Sequence, residues 1–155
     1  MKIIVDADAC PVKDVVKKVA KMYGLVVLMV CDTSHQIQDD YCDVITVDKF
    51  ADSADIRIIN LAEENDLVIT QDYGVAAMAL GKRAFAMNNF GDEYTNENMD
   101  KLLFERFLGK KVRRAGGRTK GPKKRTKAND VAFEEKITDF LKNNAWHMSK
   151  TVILY

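Results

Sequence analysis

The stretch from Lys2 to Val19 limits the choice of fold more than any other part of the chain. Ile3-Ile4-Val5 is a short apolar run without polar alternation, the pattern of a strand covered on both faces. It ends in two aspartates one residue apart, Asp6 and Asp8. Cys10 and Pro11 follow, and then a helical pattern begins. Proline suits the first helical position because it has no N–H to leave unpaired. A buried strand running straight into a helix points to an open α/β sheet. In such sheets ligands bind outside the carboxyl ends of the strands, which is where Asp6 stands. Two acids at a strand exit have two explanations: Asp8 caps the helix, or the pair belongs to a cation site.

The same alternation continues along the chain. Val12, Val15, Val16, Val19, Ala20 and Tyr23 fall at helical spacing opposite four lysines, and Gly24 fits the position after the helix. Residues 25–31 and 44–47 read as strands, with a polar loop between them. Asp52 or Ser53 caps a helix that runs to about Glu64, with Ala54, Ile58, Leu61 and Ala62 on its apolar face. Residues 66–70 form the next strand and 75–80 a short helix stopped by Gly81. Residues 83–87 form a further strand, a polar turn follows, and 98–108 are helical. This order predicts an α/β fold of three layers, a mostly parallel central sheet with helices on both faces. The predicted divisions are a core over 1–109, a basic glycine-containing loop over 110–128, a helix over 129–142 and a tail over 143–155 without an assigned role.

Charge is unevenly placed. Residues 1–100 hold 9 Lys/Arg against 18 Asp/Glu, whereas residues 101–128 hold 12 against a single acid, Glu105. An acidic body with a basic arm suits a polyanionic partner. Lys110, Lys111, Arg113, Arg114, Arg118, Lys120, Lys123, Lys124 and Arg125 are the candidate phosphate contacts, giving salt-dependent and sequence-independent affinity. No aromatic residue lies between Val112 and Ala128, so base stacking is not indicated there. The bland alternatives are a solvated loop or an arm folded over its own acids. No apolar run reaches 18 residues, which excludes a membrane-spanning helix. The N-terminus lacks a signal-peptide profile. Three cysteines without C-x-x-C spacing read as reduced thiols, so the expected location is the cytoplasm.

Asp6, Asp8, Asp55 and Asp72 are the candidate chemical residues. Asp6 and Asp72 each follow an apolar strand, and Asp55 lies in the first turn of a helix. Carboxylates are the ligands that Mg²⁺ or Mn²⁺ prefer, and crowding them is costly unless a cation neutralises them. A metal there would activate water and offset charge on a phosphodiester. The competing explanation is that acids at helix starts are caps. Cys10 at a helix start would have a lowered thiol pKa, yet no arginine stands six residues on, so a packing role is favoured. His35 and His147 are too few for a histidine metal site. Asp6-Ala7-Asp8 also fits the D-x-D of haloacid dehalogenase phosphatases, but Cys10 and the lack of a late acid pair disfavour that reading.

Taken together, DADACP at 6–11, SADIRII around Asp55, DLVITQD at 66–72 and YTNEN at 94–98 resemble the YaiI/YqxD family of bacterial PIN-like proteins. The resemblance covers about residues 1–142. Thr70-Gln71-Asp72 is also similar to the T-x-D of PIN nucleases. This implies a PIN-like fold and a metal-dependent ribonuclease. Asp6, Asp55 and Asp72 would then hold Mg²⁺ or Mn²⁺, Asp8 would assist, and Thr70 would orient a carboxylate or water. RNA would be the partner. The chain departs from the pattern at Asn88-Asn89-Phe90-Gly91, where family members often carry Asn-Pro-Arg-Gly. At Tyr73-Gly74 it offers no fourth acid. A catalytically degenerate nucleic-acid binder is therefore the alternative.

Overall fold

The computed structural model describes residues 1–8, 10–32, 37–49, 53–121 and 123–152, with the side chains of 149–152 left out. Six strands form one sheet: β1 (Ile3–Asp6), β2 (Val27–Asp32), β3 (Asp43–Val47), β4 (Leu67–Ile69), β5 (Phe85–Met87) and β6 (Glu93–Tyr94). Their order across the sheet is β3-β2-β1-β4-β5-β6. All pairings are parallel except β5 with β6. The helices are α1 (Lys13–Tyr23), α2 (Ser53–Leu61), α3 (Tyr73–Gly81), α4 (Asn96–Arg114), α5 (Lys127–Asn143) and α6 (Ala145–Val152).

Strand alternation assigns the two faces. Ile3 and Val5 of β1 join Val27, Met29, Leu67 and Ile69 in one core, covered by Val16 and Val19 of α1 and Phe133, Ile137 and Leu141 of α5. Ile4, Val30, Val68 and Ala86 point the other way, against Ile58 of α2, Val75, Ala76 and Ala79 of α3 and Met99 of α4. The result is the expected three-layer, PIN-like α/β arrangement. Both faces of the central strands are dry, which is why their sequences carry no polar alternation.

The edge of this sheet where β1 and β4 end is a topological switch point. The chain leaves β1 through α1 toward one side, and α2 carries it across to β4 on the other. A crevice opens outside the carboxyl ends of the two strands that part there.

Several local expectations are corrected. Pro11 is not the first helical residue: α1 begins at Lys13 with Val12 as its N-cap, and Val12 makes no side-chain capping bond. A turn closed by the Cys10 N–H donating to the Ala7 carbonyl at 3.3 Å separates strand from helix. The basic arm is not a loop from residue 110. Helix α4 continues through Lys110, Lys111, Arg113 and Arg114, because no breaker precedes Gly116 apart from the tolerated Gly109. The polar turn after Met87 contains the short antiparallel β6. Gly24 ends α1 with a left-handed φ of 63°, as predicted. The proposed cap Asp52, the loop histidine His35 and Pro122 lie outside the described residues. No described helix is long and apolar enough to cross a membrane. The three cysteines are buried and unbridged.

Candidate functional site

Asp6 is the last residue of β1, and its carboxylate accepts a hydrogen bond from the Thr70 hydroxyl at 3.0 Å. The same hydroxyl accepts from the Asp72 backbone N–H at 3.0 Å. Thr70 is 1% exposed and follows β4 directly. One buried hydroxyl therefore ties the ends of two neighbouring strands together and brings Asp6 beside Asp72. Its carbonyl accepts from the Tyr94 hydroxyl at 3.1 Å, which anchors the other side.

Burial pushes the Asp6 carboxyl up to about 6. The Thr70 hydrogen bond opposes this, while the charges of Asp55, Asp8 and Asp72 add to it. The other three predicted acids thus all bear on Asp6, but the four do not line one cavity. Asp6 and Asp72 line a cleft of about 900 Å³. Asp8 and Asp55 line a separate pocket of about 180 Å³ with Asp32, Asp48 and Lys49.

The capping explanation is redistributed by the structure. Asp8 does not cap α1, whose N-cap is Val12; its carboxylate accepts from the Asp32 N–H at 3.1 and 3.3 Å, at the end of β2. Asp72, by contrast, is the N-cap of α3. Its Oδ1 accepts from the N–H groups of Gly74 at 2.7 Å and Val75 at 3.2 Å. Capping occupies Oδ1 alone. Asp55 lies in the first turn of α2. The Cys10 thiol is 6% exposed and donates to Asn89 Oδ1 at 3.8 Å. Burial raises its pKa, outweighing any helix-start effect, which agrees with a packing role.

The same cleft carries positive charge. Arg106 and Arg113 of α4 and Lys120 beyond it line it together with Asp6 and Asp72, with one further acid, Glu105 of α4, and with Gln71, Tyr73, Phe90 and Tyr94. Arg106 sits 5.9 Å from the centre of the Tyr73 ring, and Arg113 donates to the Thr119 hydroxyl at 3.1 Å. The remaining basic residues separate. Lys110, Lys111 and Arg114 are exposed on α4 but outside the cleft lining, and Arg118, Lys123 and Lys124 are exposed beyond it. Arg125 is tied down: it pairs with Asp130 at 2.7 Å and covers the Phe90 ring at 5.1 Å. Arg106, Tyr73 and Gln71 escaped the sequence reading. The available signal was helical phase, since residues 102, 106, 109 and 113 recur on one face of α4.

The donor chemistry suits a divalent ion. Mg²⁺ keeps several waters and is commonly held by one or two carboxylates together with substrate phosphates. Asp6 and Asp72 supply such a pair; Asp6 is raised first by burial and then by the charges of Asp55, Asp8 and Asp72, and a dication would offset both. No cluster of three or more His, Cys, Asp or Glu side chains forms a preformed ligand set among the described residues. Asp6 and Asp72 therefore fit a two-carboxylate site.

Comparison with known proteins now decides the family. The model of the family described as "Uncharacterized BCR, YaiI/YqxD family" matches residues 4–143. The chain belongs to the YaiI/YqxD family. A family relative in Ruminiclostridium cellulolyticum, named UPF0178 protein, is 58% identical over 142 residues, covering 92% of this chain and 93% of its own. The UPF0178 protein of Alkaliphilus oremlandii is 50% identical over 144 residues, 93% of each chain. That of Clostridium perfringens is 51% identical over 130 residues, 84% of this chain and 87% of its own. No solved structure matches the chain significantly.

Proposed function

We propose that the chain is a metal-dependent phosphodiester hydrolase acting on RNA in the cytoplasm, with the cleft at the β1/β4 switch point as its active site. The observation that carries this reading is the pairing of charge across one opening. Asp6 and Asp72 line it with Arg106, Arg113 and Lys120, three cations against these two acids and Glu105. A phosphate group needs both: cations to hold its oxygens, and acids to bind the ion that offsets its charge.

Asp6 and Asp72 Oδ2 would hold Mg²⁺ or Mn²⁺. The bound ion would supply a water of lowered pKa and compensate negative charge on the phosphodiester. Thr70 keeps the Asp6 carboxylate in place through its hydroxyl. Arg106 and Arg113 contact the RNA backbone, and their guanidinium forks suit phosphate geometry. Arg118, Lys120, Lys123 and Lys124 extend the contact along the strand. Asp8 and Asp55 keep the neighbourhood negative, which favours a dication without placing them on it.

The test is cleavage of labelled RNA with Mn²⁺. Wild type should cut, EDTA should stop it, and Asp6→Asn should abolish it. The absence of a preformed three-ligand set among the described residues favours one rival, a protein that binds RNA without cutting it. That reading wins if wild type binds RNA in a salt-sensitive way, shows no turnover with any divalent ion, and keeps its affinity in Asp6→Asn.

A further inference from the structure

We propose that the outward face of α4 pairs antiparallel with the same face of a second copy of this chain, forming a two-fold dimer. Helix α4 has two opposite sides. One carries Met99 and Leu102 into the core and presents Arg106 and Arg113 to the cleft. The other side should be polar in a monomer, yet Phe104 and Phe107 are each 59% exposed there. Leu103 and Leu108, 42% and 43% exposed, widen the apolar patch. Four large apolar side chains on one side of a single helix exceed the scattered exposure that needs no explanation.

The choice of occupant comes from the charges at the two ends of the patch. Glu97, Asp100, Phe104, Phe107, Lys111 and Arg114 follow spacings of 3, 4, 3, 4 and 3, the a and d positions of a heptad. All six are exposed. The stripe therefore reads acid, acid, aromatic, aromatic, base, base along about 26 Å of helix. Reversing one copy against another about a point between Phe104 and Phe107 sets Phe104 against Phe107. The same operation sets Asp100 against Lys111 and Glu97 against Arg114. A sequence that is its own complement under two-fold reversal is what an isologous interface requires.

Other partners fit less well. An anionic membrane surface or a nucleic acid would meet Glu97 and Asp100 at one end of the stripe and be repelled there. The cleft lies on the far side of α4, so pairing leaves it open. The inference does not depend on the reading of the cleft.

Sedimentation equilibrium over a micromolar concentration series tests the proposal. Wild type should reach twice the chain mass of 17.5 kDa. Phe104→Glu with Phe107→Glu should sediment as a monomer with an unchanged circular dichroism spectrum, since neither ring is buried in the fold. Asp100→Lys alone sets lysine against lysine twice and should weaken the dimer roughly tenfold or more. Asp100→Lys combined with Lys111→Asp should restore it, because the pair is rebuilt with its signs exchanged. A monomeric wild type, a dimer indifferent to the double glutamate variant, or a failure of the charge swap to restore association would each overturn the proposal.

Discussion

Asp6→Asn should make the metal-free protein more stable, and the gain should depend on pH in a defined direction. Burial and three neighbouring acids hold the Asp6 carboxyl at about 6, against an ordinary value of 3.8. A carboxyl raised in the fold is a destabilising charge. The folded state keeps its proton where the unfolded chain has lost it, so stability falls as pH rises from about 4 to about 6 and stays low above that. The shift of about two units corresponds to about 3 kcal/mol at most. The carboxylate still meets water on the cleft side, which brings the expected penalty to about 2 kcal/mol. Asparagine keeps the shape and an oxygen for the Thr70 hydroxyl but carries no charge. Urea melts in EDTA at pH 7.5 should therefore show the variant about 2 kcal/mol more stable, a gain of roughly 4–8 °C in melting temperature for a chain of this length. At pH 4 the two proteins should differ by less than about 0.5 kcal/mol. Equal or lower stability of Asp6→Asn at pH 7.5, or a gain independent of pH, would refute the claim that burial and the neighbouring acids hold Asp6 charged at a cost to the fold.

Three further substitutions separate structural from chemical roles. Asp72→Asn should keep the α3 cap and its stability, because asparagine caps as well as aspartate, whereas Asp72→Ala should lose about 1 kcal/mol in denaturant melts; both should lose hydrolysis. Thr70→Val removes the partner of the Asp72 N–H and the hydroxyl that donates to Asp6, so stability should drop by about 1–2 kcal/mol. An NMR titration should then find the Asp6 carboxyl raised further. Gly91→Ala should cost about 2 kcal/mol, because Gly91 has a φ of 84° and a new Cβ would stand 2.7 Å from the Lys136 Cβ.

What the sequence made legible follows from how each signal is encoded. The strand β4 is fully buried and β1 and β2 nearly so, so their apolar runs announce themselves, and the alternation with helices specifies a parallel three-layer sheet. The two-residue β6 has no such signature; Glu93 is exposed and Tyr94 buried, which reads equally well as turn. The end of α4 was missed because lysines and arginines outside a core look alike in helix and in loop. The acids Asp6 and Asp72 were visible as residues at strand exits. Their division from Asp8 and Asp55 was not, because it depends on β1 lying between β2 and β4, and strand order is not written in local pattern. Arg106 needed the packing of α4 against α3 before its helical phase could be aimed at the cleft.

The most direct test of the account is single-turnover cleavage of a labelled RNA with Mn²⁺, with binding of the same RNA measured in parallel. Wild type should bind and cut. Asp6→Asn and Asp72→Asn should bind at least as well and not cut, and Arg106→Ala with Arg113→Ala should bind more weakly at every salt concentration. RNA left intact by wild type, or cut equally well by Asp6→Asn, would contradict the assignment of the β1/β4 cleft as a site of phosphodiester hydrolysis.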